Sequence, residues 1–439
     1  MTRYHVAITR PALVVSLAAA ILAPHASAQL VSASAASLAL GDNFTALARG
    51  YNAVNWNPAG LGMPENPLVS FSFAGRGSAG MDPISMSDFA KYGGVTIPSN
   101  VLASWVSRVQ AQGGQKLDAE GAGSFAMSIG PFAFQLSTNA YERGKLSADA
   151  VETLFYGNAG LTGTPRDMNF KGSRTEAVVT TTAAASFGQS IDIDLGPLTQ
   201  HFAIGATVKY VVGNALLLGE DAGSRLVANP LGVNVQFPII QSDTAFSGMP
   251  QRGHGVGLDV GAAWEFGPFA AGATIQNLLN TFKWNVNDMY FRPGGAVFSG
   301  AATRTTSFDA ISMASVPDSL RARADAMAVE VDAMRFTPSL NVGASMQVLP
   351  FLTAMADVRQ NLGDGMHLAE RTHVGAGAEL RLIPFLPIRA GLSMISGGYV
   401  ASAGAGLELA FFRLNAGIAA RKTEYGQYPS GAITVSIGQ

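Results

Sequence analysis

Short corners and long polar stretches alternate along most of this chain. The corners lie at Gly130-Pro131, Gly196-Pro197, Gly267-Pro268 and Leu349-Pro350, and between Ile383 and Pro387. Long stretches lie between the corners at residues 141–174, 213–252 and 277–334. A β-barrel that crosses a membrane has short turns at one end and long loops at the other, with antiparallel strands between them. The pattern therefore predicts an all-β chain that folds as a transmembrane antiparallel barrel.

The segments between these connections alternate apolar and polar residues. Val374, Ala376 and Ala378, for example, alternate with Gly375 and Gly377. A period of two indicates a strand with one apolar face, and about 9–11 residues suffice for a tilted membrane strand. Counting such runs predicts about 14 strands, an even number as bacterial barrels require. The predicted spans are 67–75, 123–130, 132–140, 175–188, 200–212, 253–266, 269–277, 335–348, 351–359, 372–382, 388–396, 399–409, 411–421 and 431–438.

The composition and the amino-terminal residues agree with export to an outer membrane. Hydrophobic residues make up 48% of the chain and charged residues only 13%, and there is no cysteine. Arg3 and Arg10, an apolar run over 11–23 and the triplet Ala26-Ser27-Ala28 are typical of a secretory signal. We expect residues 1–28 to be a signal peptide, 29–65 an amino-terminal hatch and 66–439 the barrel. The expected location is the outer membrane of a Gram-negative bacterium.

Many glycines fall in the polar, inward-facing register of the predicted strands. Glycine in a strand often marks the close approach of another backbone, so this pattern favours a lumen that is filled. The alternative is that glycine is merely avoided on the lipid face. The inward glycines are Gly205, Gly257, Gly261, Gly272, Gly343, Gly375, Gly377, Gly391, Gly404, Gly406 and Gly417.

Residues 29–64 lack strand alternation and contain the stretch Asn57-Pro58-Ala59-Gly60. This stretch resembles the hatch of the long-chain fatty-acid outer-membrane transporter (FadL-like) family, which includes PorV-like secretion relatives. The resemblance implies a 14-stranded barrel plugged by its own amino terminus. In the fatty-acid branch it also implies passive diffusion of hydrophobic compounds. Many outer-membrane barrels end in an aromatic residue that the assembly machinery reads, and this chain instead ends in Gln439.

Two of the predicted external loops have helical apolar spacing. Their faces are either the cores of folded loops or a hydrophobic ligand groove, because apolar and Met-bearing surfaces serve both roles. The resemblance adds that the fatty-acid branch uses such loops as its first groove. The residues of this possible groove are Val101, Leu102, Trp105 and Val109 in the first loop and Leu320, Met327, Val331 and Met334 in the second.

Charged residues in the inward register either line a constriction or form a paired ladder along the wall. Their mixed signs favour pairing, because an unpaired enclosed charge is costly. The residues are Asp259, Glu265, Glu379, Arg381, Arg389 and Arg413. The histidines lack metal-ligand spacing, and no nucleotide or nucleophile motif is present. We therefore expect no catalytic residue, no metal, no cofactor and no enzyme activity.

The sequence thus predicts a barrel for passive uptake of small hydrophobic compounds, either fatty-acid-like or aromatic. Its expected partners are membrane lipid, the hydrophobic compounds and the outer-membrane assembly machinery. A net charge of −2 argues against nucleic acid. The alternative function is a PorV-like scaffold that does not transport and binds a protein partner during secretion or surface attachment.

Overall fold

A computed structural model describes residues 32–193, 200–242, 251–299, 302–305, 308–363, 365–366 and 371–438. The predicted signal peptide (1–28) and the Gly196-Pro197 corner lie outside these residues. Fourteen strands form one closed antiparallel ring, because the first strand pairs with both the second and the last. This confirms the predicted fold class and strand count.

The strands of the ring are labelled in chain order. They are β1 (Val69–Asp82), β2 (Gln115–Ile129), β3 (Phe132–Leu146), β4 (Arg174–Ile193), β5 (Gln200–Glu220), β6 (Gly253–Phe266), β7 (Phe269–Asn280), β8 (Ser339–Leu349), β9 (Leu352–Asn361), β10 (Thr372–Leu380), β11 (Ile388–Ile395), β12 (Gly398–Leu409), β13 (Phe412–Thr423) and β14 (Gly426–Gly438).

Long connections all leave the same end of the barrel, here called the loop end; the other end is the turn end. The loop-end connections 83–114, 147–173, 221–252, 281–338 and 362–371 are long, but those at 396–397 and 424–425 have two residues each. Strict alternation of short and long connections therefore fails over the last strands, and the rim is low beside β11–β14. Seven strands, β1 to β5, β7 and β14, are also several residues longer than predicted.

The outer surface of the barrel carries a band of exposed apolar side chains, among them Val374, Leu392 and Ile418. At the turn end the band finishes in exposed phenylalanines: Phe132, Phe269, Phe351, Phe385 and Phe411. Within the described part of the chain, no helix is both long and apolar enough to cross a bilayer.

The loops at the loop end carry most of the remaining regular structure. Their helices are α3 (Met86–Ala90), α4 (Ser99–Ala111), α5 (Ala148–Tyr156) and α6 (Asp318–Ala333), with 3-10 turns at Gly157–Ala159, Val286–Asp288 and Met313–Ser315. A separate five-stranded sheet contains Met168–Asn169, Arg225–Val227, Gly232–Gln236, Gly295–Ser299 and Ala302–Thr305. Short strands at Ile239–Gln241, Lys283–Trp284, Tyr290–Arg292 and Ile311–Ser312 extend the main sheet.

Residues 32–66, here called the N-terminal segment, fold into short turns instead of strands. They contain α1 (Ala35–Ala39) and α2 (Ala53–Trp56), with 3-10 turns at Gly50–Asn52 and Pro58–Gly62. Ser34 begins α1, and its side chain accepts a hydrogen bond from Ser37 N. The segment contacts inward residues from β3 round to β14, and most of its side chains are buried. It therefore lies inside the barrel.

Candidate functional site

Inward glycines let the N-terminal segment approach the wall closely. A Cβ atom on Gly205 would stand 2.3 Å from the carbonyl carbon of Pro58, and one on Gly391 would stand 2.1 Å from that of Leu40. Similar overlaps with the segment would arise at Gly188, Gly261, Gly272, Gly375, Gly404 and Gly417. The wall therefore lacks side chains where the segment lies against it, which accounts for most of the predicted inward glycines, whereas Gly406 faces Asn415, Pro387 and Arg389 of the wall.

The Asn57-Pro58-Ala59-Gly60 stretch fastens the segment to β6. Asn57 Oδ1 accepts a hydrogen bond from Ala59 N (3.1 Å), and Nδ2 donates to Ala262 O (2.9 Å). Pro58 opens the following 3-10 turn, where its missing N–H costs nothing. A Cβ on Gly60 would stand 1.9 Å from Ala48 O, so only glycine fits. The motif is thus a folded anchor on the inner wall.

Charged groups tie the segment to other strands. Arg76 of β1 makes two bonds to the Asp42 carboxylate, both 2.9 Å long. Burial by itself would raise the pKa of Asp42, but the Arg76 guanidinium outweighs it and holds that pKa below its ordinary value. Asp357 of β9 accepts hydrogen bonds from Phe44 N and Thr45 N. These bonds join the segment to opposite sides of the ring.

Most of the predicted lumen charges are in ion pairs. Asp259 pairs with Lys209 at 2.6 Å with both side chains buried, and Glu265 pairs with Arg49 of the N-terminal segment at 3.1 Å. Near the turn end, four charges form one network: Glu379 with Arg381 and Arg389, and Arg381 with Glu408. Arg413 is partly exposed beside this network.

The structure does not bring the two parts of the predicted groove together. Trp105 and Val109 form a small core with Ile84 and Val151, and Val101 and Leu102 pack at its edge. Met327, Val331 and Met334 lie in a second core with loop residues such as Phe282 and Phe291, and Leu320 packs against it. Both sets thus stabilise folded loops, and among the described residues they belong to two separate clusters.

A cavity of about 100 Å³ lies inside the barrel, on the loop-end side of the N-terminal segment. It is lined by residues near the loop ends of their strands, such as His373 of β10 and Arg421 of β13. Trp56, Tyr141 and Val400 give it apolar surface. The lining is therefore mixed, with ion pairs, amides and aromatic rings around one space.

A model of a family of unknown function, DUF5723, matches residues 67–420. The chain belongs to this family. The matched residues cover the wall from just before β1 into β13 and leave out the N-terminal segment. No curated protein matches the chain.

Several solved structures of channels match the chain at low similarity. The toluene transporter TodX of Pseudomonas putida is 10% identical, with 94% of this chain and 98% of that chain covered and a TM-score of 0.38. The toluene transporter TbuX of Ralstonia pickettii is 12% identical, with 92% and 97% covered and a TM-score of 0.38. A TodX mutant described as a monoaromatic hydrocarbon channel is 11% identical, with 94% and 99% covered and a TM-score of 0.47. Likeness at this level carries no argument about function, and the FadL-like resemblance stays a prediction.

In this member of DUF5723 one residue lines both this cavity and a second, smaller one. Asn55 lines both spaces. Its Oδ1 accepts a hydrogen bond from Gln135 of β3 (2.9 Å), and its carbonyl accepts one from Gln276 of β7 (2.6 Å). The second cavity lies against inward residues of β1, β2, β3 and β14. Asn55 therefore joins the segment to β3 and β7 beside both spaces.

Sequence reasoning missed several residues of the cavity. Arg76, Asn139 and Asn341 all lie in the inward register of their strands, so the alternation that located glycines could have located them too. Trp56 directly precedes the anchoring motif, and Arg359 stacks over its ring at 5.2 Å. No local pattern shows that stacking, because it depends on where β9 meets the segment.

Proposed function

We propose that the protein spans the outer membrane of a Gram-negative bacterium and admits small, largely apolar compounds through its lumen. The exposed apolar band and the phenylalanines at the turn end support the membrane location, since membrane barrels carry such bands and aromatic girdles. The long loops then face outside and the short turns face the periplasm. On intact cells, an impermeant thiol reagent should label Asp325→Cys in α6 but not Pro268→Cys at the turn end. The reverse pattern would overturn this orientation.

The cavity above the N-terminal segment carries the transport proposal. It is a space within the barrel, on the outward side, where aromatic and aliphatic side chains lie beside polar ones. Small-molecule sites combine apolar surface with a few placed polar groups, and this cavity has both, with a larger polar share. Compounds would enter beside the two-residue turns, where the rim is low. Within the described residues nothing favours the scaffold alternative.

Vesicles with lipopolysaccharide in the outer leaflet provide the test, because that leaflet slows passive entry of apolar compounds. We expect the wild-type protein to speed entry of a small aromatic compound. Ser78→Trp should abolish the effect, because Ser78 lines the cavity. Ala79→Trp is the matched control, because Ala79 is the next residue of β1 and lies on the exposed face. Equal entry with and without wild-type protein would refute transport.

A further inference from the structure

Three buried side chains of the cavity have polar atoms that no described residue satisfies. Both amide atoms of Asn139 and both of Asn341 lack a hydrogen-bond partner among the described residues, as does the indole N–H of Trp56. Their exposed fractions are 2%, 1% and 3%. All three line the same cavity. Native proteins rarely leave buried polar atoms unpaired, so each such atom calls for an explanation.

The charged side chains beside these atoms already have partners. Arg76 is held by Asp42, and Arg421 bonds to Glu120 at 2.7 Å. The Nε atoms of Arg359 and Arg421 also lack a hydrogen-bond partner among the described residues, but their guanidinium groups have other contacts. The remaining unsatisfied groups that line the cavity are neutral: two primary amides and one indole. A primary amide presents a donor and an acceptor side by side. A ligand that satisfies it must both donate and accept hydrogen bonds, as hydroxyl and amide groups do.

The size of the cavity limits the ligand. At about 10–15 Å³ for each water-sized position, a cavity of about 100 Å³ holds roughly seven to ten such positions. A single ring with two small polar substituents has a similar number of non-hydrogen atoms.

We propose that the cavity is a binding site for a small neutral compound that carries hydroxyl or amide groups on a compact apolar body. Asn139 and Asn341 bind its polar groups, and Trp56 donates a further hydrogen bond. This inference rests on the proposed function and narrows its substrate class. A bare hydrocarbon would leave the amides unpaired, and a site with unpaired buried groups discriminates against such an analogue.

Catechol and toluene are suitable probes, because both are single aromatic rings and only catechol has hydroxyl groups. Binding to the purified full-length protein is measured by calorimetry, and entry is measured in the same vesicles as above. We expect the wild type to bind catechol at least tenfold more tightly than toluene. Asn139→Leu and Asn341→Leu should each weaken catechol binding by about tenfold, the order expected for one buried hydrogen bond. Toluene binding should stay the same or improve.

Asn139→Gln is the matched control, because it keeps the amide and should retain the preference for catechol. If the wild-type protein binds catechol and toluene with equal affinity, the inference is overturned before any variant is made. An unchanged preference in both Leu variants would overturn it as well, since water alone would then satisfy the amides. If catechol binds selectively but neither probe enters vesicles, the site stands and the transport function fails.

Discussion

A methyl group added to an inward glycine tests how firmly the N-terminal segment presses on the wall. In Gly205→Ala the new Cβ would stand 2.3 Å from the carbonyl carbon of Pro58 and 2.4 Å from Ala59 N. Carbon atoms in contact prefer about 3.5–4.0 Å, so the segment or β5 must move by more than about 1 Å. Overpacking of this kind costs about 1–3 kcal/mol.

A second site makes the expected effect larger. In Gly391→Ala the Cβ would stand 2.1 Å from the carbonyl carbon of Leu40. Leu40 and Pro58 are different parts of the segment, so the two effects should nearly add. The double variant should lose about 2–6 kcal/mol, a large share of the about 5–15 kcal/mol that stabilises a typical protein.

Two measurements check this prediction. The free energy of unfolding in detergent should fall in each variant, and trypsin should cut more readily after Arg49, which lies partly buried in the segment. Gly75→Ala is the matched control, because that glycine lies on the exposed face of β1 with nothing within 4 Å of its added Cβ. If Gly205→Ala is as stable and as trypsin-resistant as Gly75→Ala, the segment does not fill the lumen at that point.

Three further changes test other contacts. The pKa of Asp42 is lowered, so its ion pair with Arg76 stabilises the fold above the ordinary carboxyl pKa of about 3.9. That stabilisation is lost as the pH falls through the lowered pKa. Arg76→Gln should therefore flatten this pH dependence, which can be followed by the trypsin sensitivity of acid-treated protein. Lys209→Met should cost about 3–5 kcal/mol in the free energy of unfolding because Asp259 is left buried and unpaired, and a double change of both residues to apolar ones should recover most of it. Trp105→Asp should unfold the small loop core, seen as new protease sites at the loop end, while the barrel keeps its resistance to detergent.

Much of the barrel could be predicted because lipid and lumen impose opposite demands on alternate residues. Leu392 and Met394 are exposed on the outer face, whereas Gly391 and Ser393 lie against the N-terminal segment. Where a strand extends beyond the apolar band, the alternation of apolar and polar residues becomes weak. The first half of β2, from Gln115 to Glu120, was missed because only Leu117 and Ala119 mark its apolar face. Helical spacing located α4 and α6, because loop helices must still bury one face.

The candidate site could be predicted only in part. The Asn57-Pro58-Ala59-Gly60 stretch has a local signal, since each residue meets a local backbone requirement. The pairing of Asp42 with Arg76 has none, because it depends on how the segment is turned inside the ring. The predicted groove shows the same limit: spacing identified buried faces correctly but could not tell a loop core from a ligand surface.

The seam of the barrel has a consequence for assembly. Ala35 N donates a hydrogen bond to Thr434 Oγ1 of β14, a contact between residues 399 positions apart. This contact of α1 can therefore form only after β14 has been synthesised. Contacts of such long sequence separation form slowly. Until then the start of the segment lacks one of its final contacts, so the amino terminus is fully held only in the closed barrel.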